Sequence, residues 1–146
     1  MTRIAELIRE QDVLFVDPSA TVRDAAVRMS EKNVGAVVVL DSERLVGMFT
    51  ERDLMTRVVA CDLDPTGTPV SDVMTREVTT AGPEEDTAEC VDRMRSLNCR
   101  HLPVIDDERL IGMLSFRDVL QFDQQRARAH AELLTDLMTN KPEYES

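Results

Sequence analysis

The chain has no tryptophan, one tyrosine and four phenylalanines among its 146 residues. A core of stacked aromatics is excluded, so burial must rest on Val, Leu, Ile, Met and Ala within an ordinary apolar fraction of 42%. Three cysteines, Cys61, Cys90 and Cys99, form no CxxC pair, and their odd number excludes a fully paired disulfide framework. Cys90 and Cys99 lie among apolar neighbours, where a free thiol serves as core filler, so neither metal nor redox chemistry is expected. Long apolar runs are also missing, since the longest, 34–40, falls far short of the roughly 20 residues that cross a bilayer. The opening MTRIAELIRE carries charges where a signal peptide needs an apolar stretch, and the expectation is a cytoplasmic protein without a membrane partner.

Positive charge is scarce. Lys and Arg number 17 against 28 Asp and Glu, a formal net charge of −11. That balance repels polyanions within about a Debye length, roughly 8 Å at physiological salt, and disfavours nucleic acid as a partner. A small anion held by a few local arginines is still compatible with it. Catalytic signatures are absent: there is no GxxxxGK[ST] loop, no HExxH, no GxSxG, and no nucleophile and base at matched spacing. No enzymatic activity, catalytic residue or metal ligand is therefore expected. Of the two histidines, His130 sits in QQRARAHAE and reads as a surface residue.

What the chain does have is a repeat. Shifting it by 65 positions lays 13–55 over 78–120 without a gap, matching Pro18/Pro83, Arg28/Arg93, Met29/Met94, Asn33/Asn98, Gly47/Gly112, Met48/Met113 and Asp53/Asp118. Each copy begins with a short extended segment ending at proline (VLFVDP, VTTAGP). A helix follows, its apolar face at helical spacing: Val22, Ala25, Ala26 and Met29, or Cys90, Val91, Met94 and Leu97. An apolar strand (35–40 or 101–105), a polar turn (DSER or DDER) and a second strand (45–49 or 110–114) complete the pattern before another helix opens. The unit is β-α-β-β-α, an α+β architecture whose strands are apolar enough to be buried on both faces. A unit this small cannot bury both faces alone, so the two should pack together.

The expected division is 1–60 for the first repeat with its lead-in, 61–69 for a turn-rich linker, 70–122 for the second repeat and 123–146 for a C-terminal helix and tail. That helix, about 117–138, carries Phe122, Ala129, Leu133, Leu134, Leu137 and Met138 near one side, a stripe suited to the module itself or to a second subunit.

Both second strands end in [S/T]-x-x-D: Thr50 with Asp53, and Ser115 with Asp118. The bland account is a capping box, with the hydroxyl and carboxylate satisfying helix N-terminal N–H groups. The same geometry suits a ligand, because a short carboxylate can accept two hydrogen bonds from a vicinal diol such as ribose. Gly47 and Gly112 leave room for a flat ring, or mark a bulge or tight packing. Residue types alone leave capping and binding evenly matched.

AVVVLDSERLVGMFTERD and RHLPVIDDERLIGMLSFRD, each after a helix ending near Asn33 or Asn98, resemble the tandem CBS (cystathionine β-synthase) domains that form a Bateman module. The resemblance runs from Ile4 to Leu120. It implies two repeats packed through their sheets with pseudo-twofold symmetry, and a homodimer forming a disc of four repeats. It also implies a regulatory module that binds AMP, ADP or ATP and modulates an unknown partner protein, with no required cofactor. Carried over residue by residue, the first cleft would comprise Met48, Thr50, Arg52, Asp53, Val78, Thr79, Arg100 and His101. The second would comprise Val13, Leu14, Gly35, Ala36, Met113, Ser115, Arg117 and Asp118, and should bind phosphate less well because Gly35 and Ala36 stand where the other has Arg100 and His101. Alternatives are a ligand-independent dimerisation scaffold, or a binder of another adenosyl ligand such as S-adenosylmethionine.

Overall fold

The structure, a computed structural model, describes residues 2–8 and 13–139; the end of the first lead-in and residues 140–146 of the expected tail lie outside the described residues. The order is α1 (Ile4–Leu7), β1 (Phe15–Val16), α2 (Val22–Lys32), β2 (Ala36–Asp41), β3 (Arg44–Thr50) and α3 (Glu51–Asp53), which continues as a π-helix over Leu54–Val59. After a 3₁₀ turn at Val70–Asp72 come α4 (Thr87–Leu97), β4 (His101–Asp106), β5 (Arg109–Ser115) and α5 (Phe116–Thr139). The fold is mixed α+β, with a sheet and helices in each repeat, as the periodicity indicates.

The repeats share their local devices. Asn33 and Asn98 close α2 and α4 in the left-handed region, at φ 54° and 51°, with their N–H groups bonded back into the last turn. The hairpin turns place Ser42 and Glu43, and Asp107 and Glu108, at positive φ, the two-residue I′ arrangement whose twist suits paired strands. Arg28 donates to the Phe15 carbonyl and Arg93 to the Thr80 carbonyl, which ties each helix to its own leading segment. In both hairpins the register slips one residue before the turn, between Val39 and Leu40 and between Val104 and Ile105, beside Gly47 and Gly112.

They differ at one proline. In the first repeat β1 lies parallel to β2, and the Val38 N–H donates to the Leu14 carbonyl at 3.3 Å. Position 103, the counterpart of Val38, is Pro103, which has no N–H to give Thr79. The parallel ladder of the second repeat accordingly shrinks to a single bridge, Ala81 to Val104.

The cores are completed crosswise. Val70, Val73 and Met74, in the lead-in of the second repeat, are buried with Val22, Met29, Val37, Val39 and Phe49 of the first. Ile4 and Ile8, which precede the first, are buried with Cys90, Met94, Leu102, Val104 and Leu114 of the second. Backbone pairing follows the same crossing: Met48 and Thr75 exchange both hydrogen bonds at 2.8–2.9 Å, while Ile4 and Ala5 donate to the carbonyls of Glu85 and Pro83. Ala36, Val38 and Met48 are buried outside both clusters. Because neighbouring strand residues face opposite sides, these residues line the side of the sheet turned away from its own helix.

Gly47 owes its presence to this crossing. A Cβ there would lie 2.3 Å from Met74 Sδ and 2.8 Å from its Cγ, so the lead-in sits where a side chain would be. Of the roles open to this glycine in sequence, tight packing is observed, next to the register slip of its hairpin. Gly47→Ala should displace Met74 and lower stability by about 1–3 kcal/mol in urea unfolding, the usual cost of overpacking a core.

Candidate functional site

Each [S/T]-x-x-D motif sits where its second strand runs into a helix, and each is capped as the spacing suggests. Thr50 Oγ1 accepts the Asp53 N–H at 3.1 Å, and Asp53 Oδ2 accepts the Thr50 N–H at 3.0 Å, a closed capping box. In the second copy the Asp118 N–H donates to Ser115 Oγ at 3.0 Å.

Capping leaves the acids unequal. Asp53 is only 7% exposed, and its Oδ1 lies 3.7 Å from Arg57 Nε, one helical turn on. Arg57 also donates to the carbonyls of Val73 and Met74, tying the acid to the crossed lead-in. The counterpart of Arg57 is Phe122, so Asp118 has no arginine one turn on; it is partly exposed rather than buried.

The motifs open onto two cavities of similar size. A cavity of about 920 Å³ is lined by Met48, Thr50, Arg52, Asp53, Val78, Thr79, Arg100 and His101, all eight residues anticipated for the first cleft. Another, of about 910 Å³, is lined by Val13, Leu14, Gly35, Ala36, Met113, Ser115, Arg117 and Asp118, all eight anticipated for the second. Both volumes fall in the range of small-molecule sites, roughly 300–1,000 Å³. Neither cavity belongs to one repeat alone.

Several lining residues are not part of the repeat argument. Met55 and Leu97 face the first cavity while 60% and 53% exposed, so Leu97, assigned by periodicity to the buried face of its helix, instead offers apolar surface to the cleft. Leu120, the counterpart of Met55, does the same in the second cavity at 50% exposure. Cys99 packs against the second core cluster and also lines the first cavity, while Cys90 is wholly buried and burial pushes its thiol up to about 11. Neither is a poised nucleophile, and among the described residues no cluster of His, Cys, Asp and Glu could hold a metal ion.

The cations are arranged differently from a copy-by-copy count. Arg100, just before β4, and His101, its first residue, line both cavities, as do Gly35 and Glu51. Lys32 adds a further cation to the second cavity. Gly35 and Ala36 therefore do not leave that cavity without basic side chains, because the basic pair of the other repeat reaches it. Sequence alignment missed this because the pairing is spatial. Arg52 crosses the first cavity to donate to the Asn98 carbonyl at 3.0 Å.

Burial holds the His101 imidazole below the usual histidine range, with Glu51 and Asp118 pulling it up and Arg100 pushing it down. A histidine depressed in the fold is more readily protonated when unfolded, so stability falls as pH drops through the ordinary histidine range. His101→Gln should lose less melting temperature than the parent between pH 7.5 and 5.5, as read by paired thermal melts.

The CBS domain family model matches the chain twice, at residues 4–60 and 70–124. The CBS domain-containing protein YhcV of Bacillus subtilis is 33% identical over 125 residues, covering 86% of this chain and 88% of its own. A CBS-domain containing protein from Agrobacterium tumefaciens is 32% identical with a TM-score of 0.79, covering 84% of this chain and 99% of its own. A CBS domain protein from Pyrobaculum aerophilum, solved in complex with AMP, is 28% identical with a TM-score of 0.73, covering 80% and 89%. With both repeats matched and the fold superposing on solved CBS proteins, this chain belongs to the CBS domain family and carries its two repeats in tandem.

Proposed function

We propose that the chain is a regulatory module that binds adenine nucleotides in its two clefts and passes the binding on as a change of conformation. The observation that carries this reading is the convergence, in each cavity, of a carboxylate and a hydroxyl from one repeat with the leading segment of the other. The AMP complex of the Pyrobaculum aerophilum protein supports the choice of ligand class.

In the first cleft Asp53 and Thr50 would take the ribose hydroxyls, since each carboxylate oxygen has a second lone pair beyond its present bond. Met48, Met55 and Leu97 supply apolar surface for a purine. Val78 and Thr79 offer backbone groups for its edge, and Pro103 leaves the Thr79 carbonyl outside the strand ladder. Arg100, His101 and Arg52 would face the phosphate. In the second cleft Asp118 and Ser115 take the ribose role, Val13, Leu14 and Met113 the base, and Arg117 with Lys32 the charge. Glu51, which lines both, favours ligands of low negative charge and suits a cationic sulfonium such as that of S-adenosylmethionine.

Regulation requires that the ligand bind one conformation better than another, whatever its affinity. The partner surface would include the far half of α5, where Leu133, Leu134, Leu137 and Met138 are 57%, 47%, 62% and 76% exposed, and a second copy is the proposed occupant. The complete capping box at Thr50 favours a second reading, a scaffold in which the motifs only stabilise helices.

Calorimetric titration with AMP, ADP and ATP separates the two. Binding weakened tenfold or more in Asp53→Ala is expected; no heat and no thermal shift at millimolar nucleotide would remove the nucleotide reading. The scaffold predicts only a stability loss of about 0.5–2 kcal/mol in Asp53→Ala and Asp118→Ala. Truncation after Asp123 should reduce the mass measured by light scattering from dimer to monomer, and an unchanged mass would exclude α5 from the subunit contact.

A further inference from the structure

The wall between the clefts carries one arginine and one histidine for two sites. Gly35 and Arg100 are counterparts in the repeat, as are Ala36 and His101, so a chain with basic residues in both copies would offer each cleft its own pair. Here only one pair exists. It stands where the two strand entrances meet: a Cβ on Gly35 would lie 3.0 Å from Glu51 Oε1 and 3.5 Å from His101 Cε1. Gly35, Glu51 and His101 are thus packed against one another, and all three line both cavities together with Arg100.

We propose that Arg100 and His101 form a single anion subsite shared by the two clefts, for which the phosphates of two bound nucleotides compete. The proposal rests on the nucleotide reading and adds a coupling to it. The first phosphate to arrive uses the shared pair, and the second then meets a wall that already holds a phosphate and the Glu51 carboxylate. Cations belonging to one cleft only, Arg52 and Arg57 in the first and Lys32 and Arg117 in the second, soften the competition. Each nucleotide therefore weakens the other instead of excluding it. A ligand without phosphate makes no demand on the subsite and should fill the clefts independently.

Calorimetry on the full chain tests this with AMP and with adenosine. Asp118→Ala and Asp53→Ala report the intrinsic affinity of the first and second cleft; if either fails to fold, the Asp→Asn variants keep an acceptor at the cap. For AMP, the product of the two stepwise association constants of the parent should fall about tenfold or more below the product of the two single-cleft constants, a coupling of ordinary allosteric size. For adenosine the two products should agree. Equal products for AMP, or the same deficit for both ligands, would overturn the shared subsite and leave the nucleotide reading standing. A parent that takes up one AMP supports it if Asp53→Ala still binds AMP, and overturns it if that variant does not. Absence of binding by both ligands would remove both proposals together.

Discussion

Each repeat completes its core with residues that precede the other repeat. Ile4 is wholly buried in the second cluster and Val70 in the first, while Thr75 hydrogen-bonds to Met48 at the edge of the first sheet. A unit of two or three strands and two short helices exposes too large a fraction of its surface to be stable alone. The exchanged segments supply what is missing, and in doing so they make the two repeats a single folding problem. They also set what the clefts are made of, because the chain leaving Met74 leads directly to Val78 and Thr79 opposite the Asp53 motif. The position of Gly47 and the two-repeat lining of each cavity both depend on this crossing.

Against that symmetric frame, four substitutions carry the asymmetry. Pro103 in place of Val38 removes a donor and leaves the leading segment of the second repeat held to its sheet by a single bridge. Arg57 in place of Phe122 gives Asp53 an ion pair that Asp118 has with none of the described residues, at a separation and exposure where such a pair is worth little to stability. Arg100 and His101 in place of Gly35 and Ala36 put the basic side chains on the shared wall. The clefts therefore have almost the same volume but different chemistry. Equal shape follows from the repeated backbone, and unequal charge follows from side chains that differ between the copies along the cleft walls.

Much of the fold was legible in the residues because its signals are local. The 3.6-residue spacing of Val22, Ala25 and Met29, the left-handed caps at Asn33 and Asn98, and the polar turns before Arg44 and Arg109 each depend on neighbours a few positions away. Leu97 was misassigned for the same reason: its spacing places it on the apolar face, yet the last turn of α4 projects past the sheet into a cleft that a single helix cannot reveal. The cation count of the second cleft failed similarly, since a register of 65 residues pairs positions by ancestry and not by proximity.

By itself, the sequence determined the repeat, the α+β class and the helix caps, since each is specified by residue type at short range or by the internal register, whereas the sixteen residues that line the cavities were anticipated from the family resemblance. Only the tertiary structure decided which lead-in completes which core, why Gly47 is a glycine, and that Glu51, Arg100 and His101 face both clefts at once. These depend on where two sheets come to rest against each other. That placement is set by summed burial over the whole chain, and no local pattern encodes it.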